Sequence, residues 1–185
     1  MKNWVILFVK AGAEEQVLHT LKRTLDPSEY LPFIPLKEAP YIKRGIVTKV
    51  RKRLFLGYVF IQSPINADLI AGKLQQAITD VVRHRDIRSI LHYGADKKDV
   101  VLREKERRYW ERLFDDDFCI TGSVGFFEGD RIFITSGALV GMEGSVRRLD
   151  LHKRQAFVEL EVMGAVREIR LMLEIIKKTD QKPPA

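Results

Sequence analysis

Two hydrophobic periods run along the chain, and the change from one to the other divides it. Residues 4–9 are six consecutive apolar positions, the pattern of a fully buried strand, and Gly12 ends them. Between residues 13 and 25, Val17, Leu18, Leu21 and Leu25 recur at helical spacing. Glu14 and Glu15 lie in that helix's first turn and Lys22 and Arg23 in its last, which complements the helix dipole, and Asp26-Pro27 closes it. Residues 30–36 hold two prolines, which fix φ and withhold donors, so the pattern predicts an edge or irregular strand. Residues 37–49 are mixed and charged and predict a hairpin or loop. A basic triplet, Arg51-Lys52-Arg53, then runs into Leu54-Phe55-Leu56-Gly57-Tyr58-Val59-Phe60-Ile61-Gln62, which reads as a buried strand interrupted at Gly57. Leu69, Ile70, Leu74 and Ile78 predict a second helix over 67–78, residues 87–92 a short strand, and residues 100–113 an extended start turning helical around 104–110.

Beyond Asp115-Asp116-Asp117 and Gly122–Gly125 the period shortens. Residues 127–134, 144–149, 155–162 and 167–171 are short strand patterns separated by Gly- and charge-rich turns, which predicts a small all-β barrel. In the third, Ala156, Val158, Leu160 and Val162 alternate with Gln155, Phe157, Glu159 and Glu161. The fold class expected is therefore α+β: a mixed domain over 1–120, a linker over 114–123, a barrel over 123–178 and a frayed polar tail over 179–185.

The chain has 185 residues, with 32 Lys+Arg against 25 Asp+Glu and a net charge of +7. That balance favours an anionic partner, nucleic acid before a membrane surface. One cysteine, Cys119, excludes an internal disulfide and fits a reducing compartment. No stretch has the length of a membrane span and no signal-peptide pattern opens the chain, so a cytoplasmic protein without membrane partners is expected. Enzyme chemistry finds little support: there is no phosphate-binding Gly-Lys-Ser/Thr loop, no Cys/His cluster at metal spacing, and His19, His84, His92 and His152 are scattered. No cofactor or metal is expected, and the three aspartates read as a solvated acidic break.

Two basic groupings stand out. Gln16, His19 and Arg23 share one helix face, with Lys10 before the helix and Arg83, His84 and Arg85 in a later loop. In the barrel region Arg147 and Arg148 precede, and His152, Lys153 and Arg154 follow, one turn, with Arg167 and Arg170 further on. Phe157 lies on the polar side of its strand, placed either to stack on a base or to fill the barrel.

A basic run followed by Leu54-Phe55-Leu56-Gly57-Tyr58-Val59 resembles the central signature of the NusG family of transcription elongation factors, with Leu56 in place of the usual proline. Gly129-Asp130, then Ser136 through Val146, resembles the KOW motif of the same family, and Gly164 matches the glycine of its later hairpin. Trp4, the signature and the KOW turn stand in family order. The resemblance implies an N-terminal domain with a mainly antiparallel sheet flanked by helices, and an SH3-like KOW barrel. It implies a monomer that docks on the clamp helices of RNA polymerase through Trp4, Leu54, Phe55 and Tyr58, although these four would equally serve as core. Lys10, Gln16, His19, Arg23, His84 and Arg85 would meet non-template DNA. The opening Asn3-Trp4, Lys10, residues 12–15 and the basic KOW region most resemble the LoaP group, specialised antitermination paralogues that act on particular operons and recognise a leader RNA. Arg147, Arg148, His152, Lys153, Arg154, Arg167 and Arg170 would then hold a nascent RNA hairpin. Leu139 stands where an aromatic is usual in the KOW turn, which disfavours a ribosomal protein or Rho as the barrel's partner.

Overall fold

The computed structural model describes residues 3–81 and 86–176. In chain order the elements are β1 (Asn3–Val9), α1 (Glu14–Thr24), β2 (Leu31–Phe33), β3 (Leu36–Lys43), β4 (Ile46–Arg53), β5 (Tyr58–Ser63), α2 (Ala67–Val81), β6 (Ile87–Ile90) and α3 (Glu104–Leu113). They continue with β7 (Cys119–Ile120), β8 (Ser123–Glu128), β9 (Arg131–Ser136), a 3-10 turn (Glu143–Ser145), β10 (Val146–Asp150), β11 (Gln155–Val162) and β12 (Ala165–Ile175). The chain forms two compact units that interleave in sequence. The first gathers the described parts of residues 1–36, 53–111 and 161–165, and the second those of 37–52, 112–160 and 166–185.

In the first unit an antiparallel sheet has the order β2-β5-β1-β6. Pro32 lies in β2, an edge strand, where its missing N–H leaves no gap in the sheet interior. Because side chains alternate along a strand, β1 presents two apolar faces. Val5, Leu7 and Val9, with Val59 and Ile61 of β5, pack against Val17 and Leu21 of α1 and Ile70 and Leu74 of α2. Burying each such side chain contributes about 1.5–3 kcal/mol. Trp4, Ile6 and Phe8 take the opposite face, where the register sets Ile6 against Phe60 and Phe8 against Tyr58.

Several expectations change. Residues 4–9 are not fully buried: Phe8, next to the end of β1, is 37% exposed. The apolar run through Gly57 is not one strand either. β4 ends at Arg53 and β5 begins at Tyr58, with Leu54 to Gly57 forming a turn. Gly57 sits at φ 81°, a conformation that side-chain-bearing residues rarely adopt. The expected linker 114–123 contains β7, which pairs with β3, and lies wholly in the second unit. Asp115 organises this stretch by accepting the N–H groups of Asp117 and Cys119 at 3.0 and 2.8 Å. The acidic run is therefore a built turn. His84, Arg85 and the tail 179–185 lie outside the described residues.

In the second unit, five strands in the order β10-β11-β12-β8-β9 make the half-barrel of a KOW-type module, with β12 and β8 parallel. Its core includes Ile134, Leu139, Val158, Leu160, Leu171 and Leu173. Gly137 opens the turn after β9 at φ 89°, where an added Cβ would stand 2.3 Å from the Gly122 carbonyl oxygen. A second sheet in this unit, β4-β3-β7, contains the β3–β4 ribbon.

Candidate functional site

The aromatic face of the first unit is built around Trp4. Its ring meets Phe33 edge-on at 5.4 Å and Phe60 at 6.4 Å. Trp110, brought by α3, meets Phe60 at 6.3 Å and Phe55 at 5.9 Å. Phe55 also meets Tyr58 at 5.9 Å, and Tyr58 meets Phe8 at 5.6 Å. All but the tilted Phe8–Tyr58 pair are edge-to-face, and such contacts add about 0.5–1.5 kcal/mol each beyond area burial.

The structure divides the four side chains implied by resemblance. Trp4 and Leu54 are buried, Trp4 in the floor; Phe55 and Tyr58 are half-buried, and form a margin. Phe8 and Leu56 join that margin, Leu56 being 66% exposed. Sequence reading missed both as surface residues. Phe8 shares the parity of Trp4 and Ile6, so only its place near the strand end distinguishes it. Leu56 looks like strand core until Gly57 is seen to turn the chain.

Glu14 holds this margin in place. The sequence suggests a first-turn carboxylate, yet the residue is fully buried. Its Oε1 accepts the Gly57 N–H at 2.6 Å, its Oε2 accepts the Gly12 N–H at 2.9 Å, and Arg53 lies 3.3 Å away. Burial raises its pKa, but the Gly57 hydrogen bond, a bond from its own backbone, the Arg53 charge and the Gly12 bond outweigh that, leaving it below the ordinary glutamate value. The carboxylate thus ties the turn bearing Phe55 and Leu56 to the start of α1.

On α1, Gln16, His19 and Arg23 are all exposed, on one helical face, and Lys10 is exposed ahead of them. The Lys10 N–H donates to the Asp86 carbonyl at 2.7 Å, which fixes its backbone beside β6.

In the second unit the seven basic positions separate by their neighbours. Arg147 bonds Glu159 at 2.8 Å, Lys153 lies 3.4 Å from Asp150, and Arg154 pairs with Glu174. Those three cations have local anions. Arg148 instead stacks its guanidinium 3.5 Å above the Phe157 ring, and Arg170 approaches the same ring at 5.5 Å. Phe157 is consequently 5% exposed, so it is covered by arginine and gives no open stacking face. His152 and Arg167 are exposed. Leu139 is fully buried, its N–H donating to the Ser123 hydroxyl at 3.0 Å.

No catalytic constellation appears among the described residues, and none of them form a group of three or more metal-ligating side chains. Cys119 is buried, and burial, with Asp115 next, pushes its thiol up to about 11, which makes it a poor nucleophile. No described helix is long and apolar enough to cross a membrane.

A family model described as "Transcription termination factor nusG" matches residues 2–110, a span that includes the whole aromatic face and α1. A transcription termination/antitermination protein NusG from Pasteurella multocida (strain Pm70) is 21% identical over 184 residues, covering 97% of this chain and 96% of its own. One of the same description from Halalkalibacterium halodurans is also 21% identical over 184 residues, covering 96% and 98%. A solved structure titled "Domain interaction in Thermotoga maritima NusG" covers 94% of each chain at 18% identity, with a TM-score of 0.49.

Proposed function

The chain belongs to the NusG family of transcription termination and antitermination factors, and from that premise we propose an operon-specific antiterminator that ties RNA polymerase to a nascent leader RNA hairpin. Family members engage RNA polymerase. In this chain Phe55, Leu56, Tyr58 and Phe8 form an apolar margin of the kind an α-helical pair fits, over a floor made rigid by Trp4, Phe60 and Trp110. Aromatic side chains in such settings dominate interface energies. Gln16, His19 and Arg23 on the exposed face of α1, with Lys10, would meet the non-template strand, where phosphate contacts add affinity and base contacts add sequence preference.

The observation that carries the operon-specific reading lies in the KOW module. Leu139 of the KOW turn is fully buried, while Arg148 and Arg170 close over Phe157 and present cationic edges. That surface suits phosphate better than an apolar protein groove. The factor performs no chemistry: it acts by holding two partners at once.

The test is competitive binding with the full chain. Fluorescent leader RNA transcribed from the factor's own operon is titrated against it, with the small-subunit ribosomal protein and Rho as alternatives. Salt-dependent RNA binding with no detectable binding of either protein is expected. Binding of ribosomal protein or Rho in preference to RNA would instead assign the housekeeping role.

A further inference from the structure

The β3–β4 ribbon lies outside both the aromatic face and the Phe157 surface. Residues 37–52 carry six cations, Lys37, Lys43, Arg44, Lys49, Arg51 and Lys52, against one acid, Glu38. Its tip is Arg44-Gly45, with φ 50° and 79°, the two-residue turn whose twist matches the flanking strands. The Thr48 hydroxyl donates to the Tyr41 carbonyl at 3.2 Å, consistent with those two residues lying opposite each other.

Strand alternation then sorts the charges. One face holds Glu38, Lys49 and Arg51. There the cations have anions: Lys49 lies 3.2 Å from Glu38, and Arg51 2.9 Å from Asp117. The other face holds Lys37, Tyr41, Lys43 and Lys52 and no acid. Lys37 Nζ donates to the Arg170 carbonyl at 2.7 Å, which joins this face to the side of the KOW module where Arg170 and Arg148 enclose Phe157. Lys37 is half-buried, and its pKa lies below the ordinary lysine value through burial first, then the charges of Arg170 and Lys52. Within the second unit a row of cations therefore runs from Arg148 through Arg170, Lys37 and Lys52 to Lys43 and Arg44, and no ion pair neutralises it among the described residues. From residue 37 to residue 43 the ribbon reaches about 20 Å at roughly 3.3 Å per residue. At its end Tyr41 is 49% exposed, Ile42 55% and Ile46 68%.

We propose that the β3–β4 ribbon is an RNA-binding arm of the second unit: Lys37, Lys52, Arg170 and Arg148 take the phosphates of a stem, and Tyr41, Lys43 and Arg44 meet the unpaired bases of its loop. The inference rests on the reading of the KOW module as an RNA binder and extends that contact from Arg148 and Arg170 along the ribbon. A row of uncompensated cations matches a duplex backbone, whose counterions it releases. An exposed aromatic between cations at a protruding tip matches splayed loop bases, which RNA offers and a continuous duplex does not.

Three labelled probes separate the outcomes: an RNA stem-loop, a blunt RNA duplex of the same stem, and a DNA stem-loop of the same sequence. Full-length chain is titrated against each over a salt series. The paired substitutions Lys43→Ala with Arg44→Ala, and Lys37→Ala with Lys52→Ala, should each lower RNA stem-loop affinity about ten-fold and flatten the log-affinity against log-salt slope by about 1–2 units. Tyr41→Ala should weaken the stem-loop and leave the blunt duplex unchanged. The charge-preserving pair Lys43→Arg with Arg44→Lys should bind as wild type, which separates lost charge from a damaged ribbon. Ribbon variants that bind normally, while Arg148→Ala loses affinity, would overturn the arm and leave the KOW contact standing. A wild-type protein that binds no RNA probe would overturn both. Equal or tighter binding of the DNA stem-loop would overturn RNA as the occupant.

Discussion

Phe55 and Glu14 show how much a single residue decides here. Phe55 is half-buried against Tyr58 and Trp110, so its ring is available to a partner without being essential to the core. Phe55→Ala should weaken polymerase binding by about 2 kcal/mol or more, as a hot-spot aromatic does, while the protein stays folded. Pull-down of polymerase beside a thermal melt checks this; unfolding on substitution would make the ring core. Glu14 is invisible as a buried ligand in the sequence, because its neighbour Glu15 has the same local signature and is exposed. Only the tertiary approach of Gly57 distinguishes the two. Since the folded-state pKa of Glu14 is depressed, its contribution to stability is fully present above the unfolded value of roughly 4.3 and is lost as pH falls through the folded value. Glu14→Gln should cost about 1–3 kcal/mol at neutral pH and remove that part of the acid-limb loss of stability, read from melts across a pH series. An unchanged neutral-pH melt would mean that these hydrogen bonds do not hold the turn, since glutamine keeps one acceptor oxygen where the carboxylate has two.

Among the elements, those with a strong period were legible. The helix over 13–25 appears as α1, the proline-bearing segment as edge strand β2, and the alternation of 155–162 as β11. The failures have a common cause: a run of apolar residues does not say where the backbone turns. Residues 54–57 look like strand interior, yet Gly57 at φ 81° reverses that reading. Gly57→Ala should destabilise the first unit by about 1–3 kcal/mol, since the new Cβ would stand 3.0 Å from the Val9 carbonyl oxygen and 3.3 Å from the Phe8 ring. Urea melts would show it as a lower midpoint with an unchanged slope; an unshifted midpoint would mean the turn relaxes freely. A second element-scale feature was not legible at all. Glu106 of α3 is buried and accepts the N–H groups of Met163 and Gly164 at 2.9 and 3.0 Å, which places residues 161–165 in the first unit. A carboxylate and a turn 57 residues apart give no local signal. Glu106→Ala should speed amide hydrogen exchange at Met163 and Gly164 by ten-fold or more, in keeping with about 1–3 kcal/mol for an unsatisfied donor. Unchanged exchange there would show that the turn is held by other means.

At the scale of the molecule, the succession of strands that follows α3 was legible, because period and turn chemistry are local properties. Interleaving was not, because it depends on β7 pairing with β3 across the chain. The net charge of +7 indicates an anionic partner but not where it binds. Ion pairs on Arg147, Lys153 and Arg154 remove much of the charge that the sequence displays, and the geometry leaves Arg148 and Arg170 as the prominent cations. The proposed role has one chain join polymerase to a leader RNA. It is tested most directly by single-round transcription in vitro through a terminator placed downstream of the factor's own leader, with wild-type protein and with the Arg148→Ala, Arg170→Ala double variant. Wild type should give read-through only when the leader is transcribed, and the variant should lose read-through while still co-purifying with polymerase. Read-through that is equal without the leader, or undiminished in the variant, would contradict it.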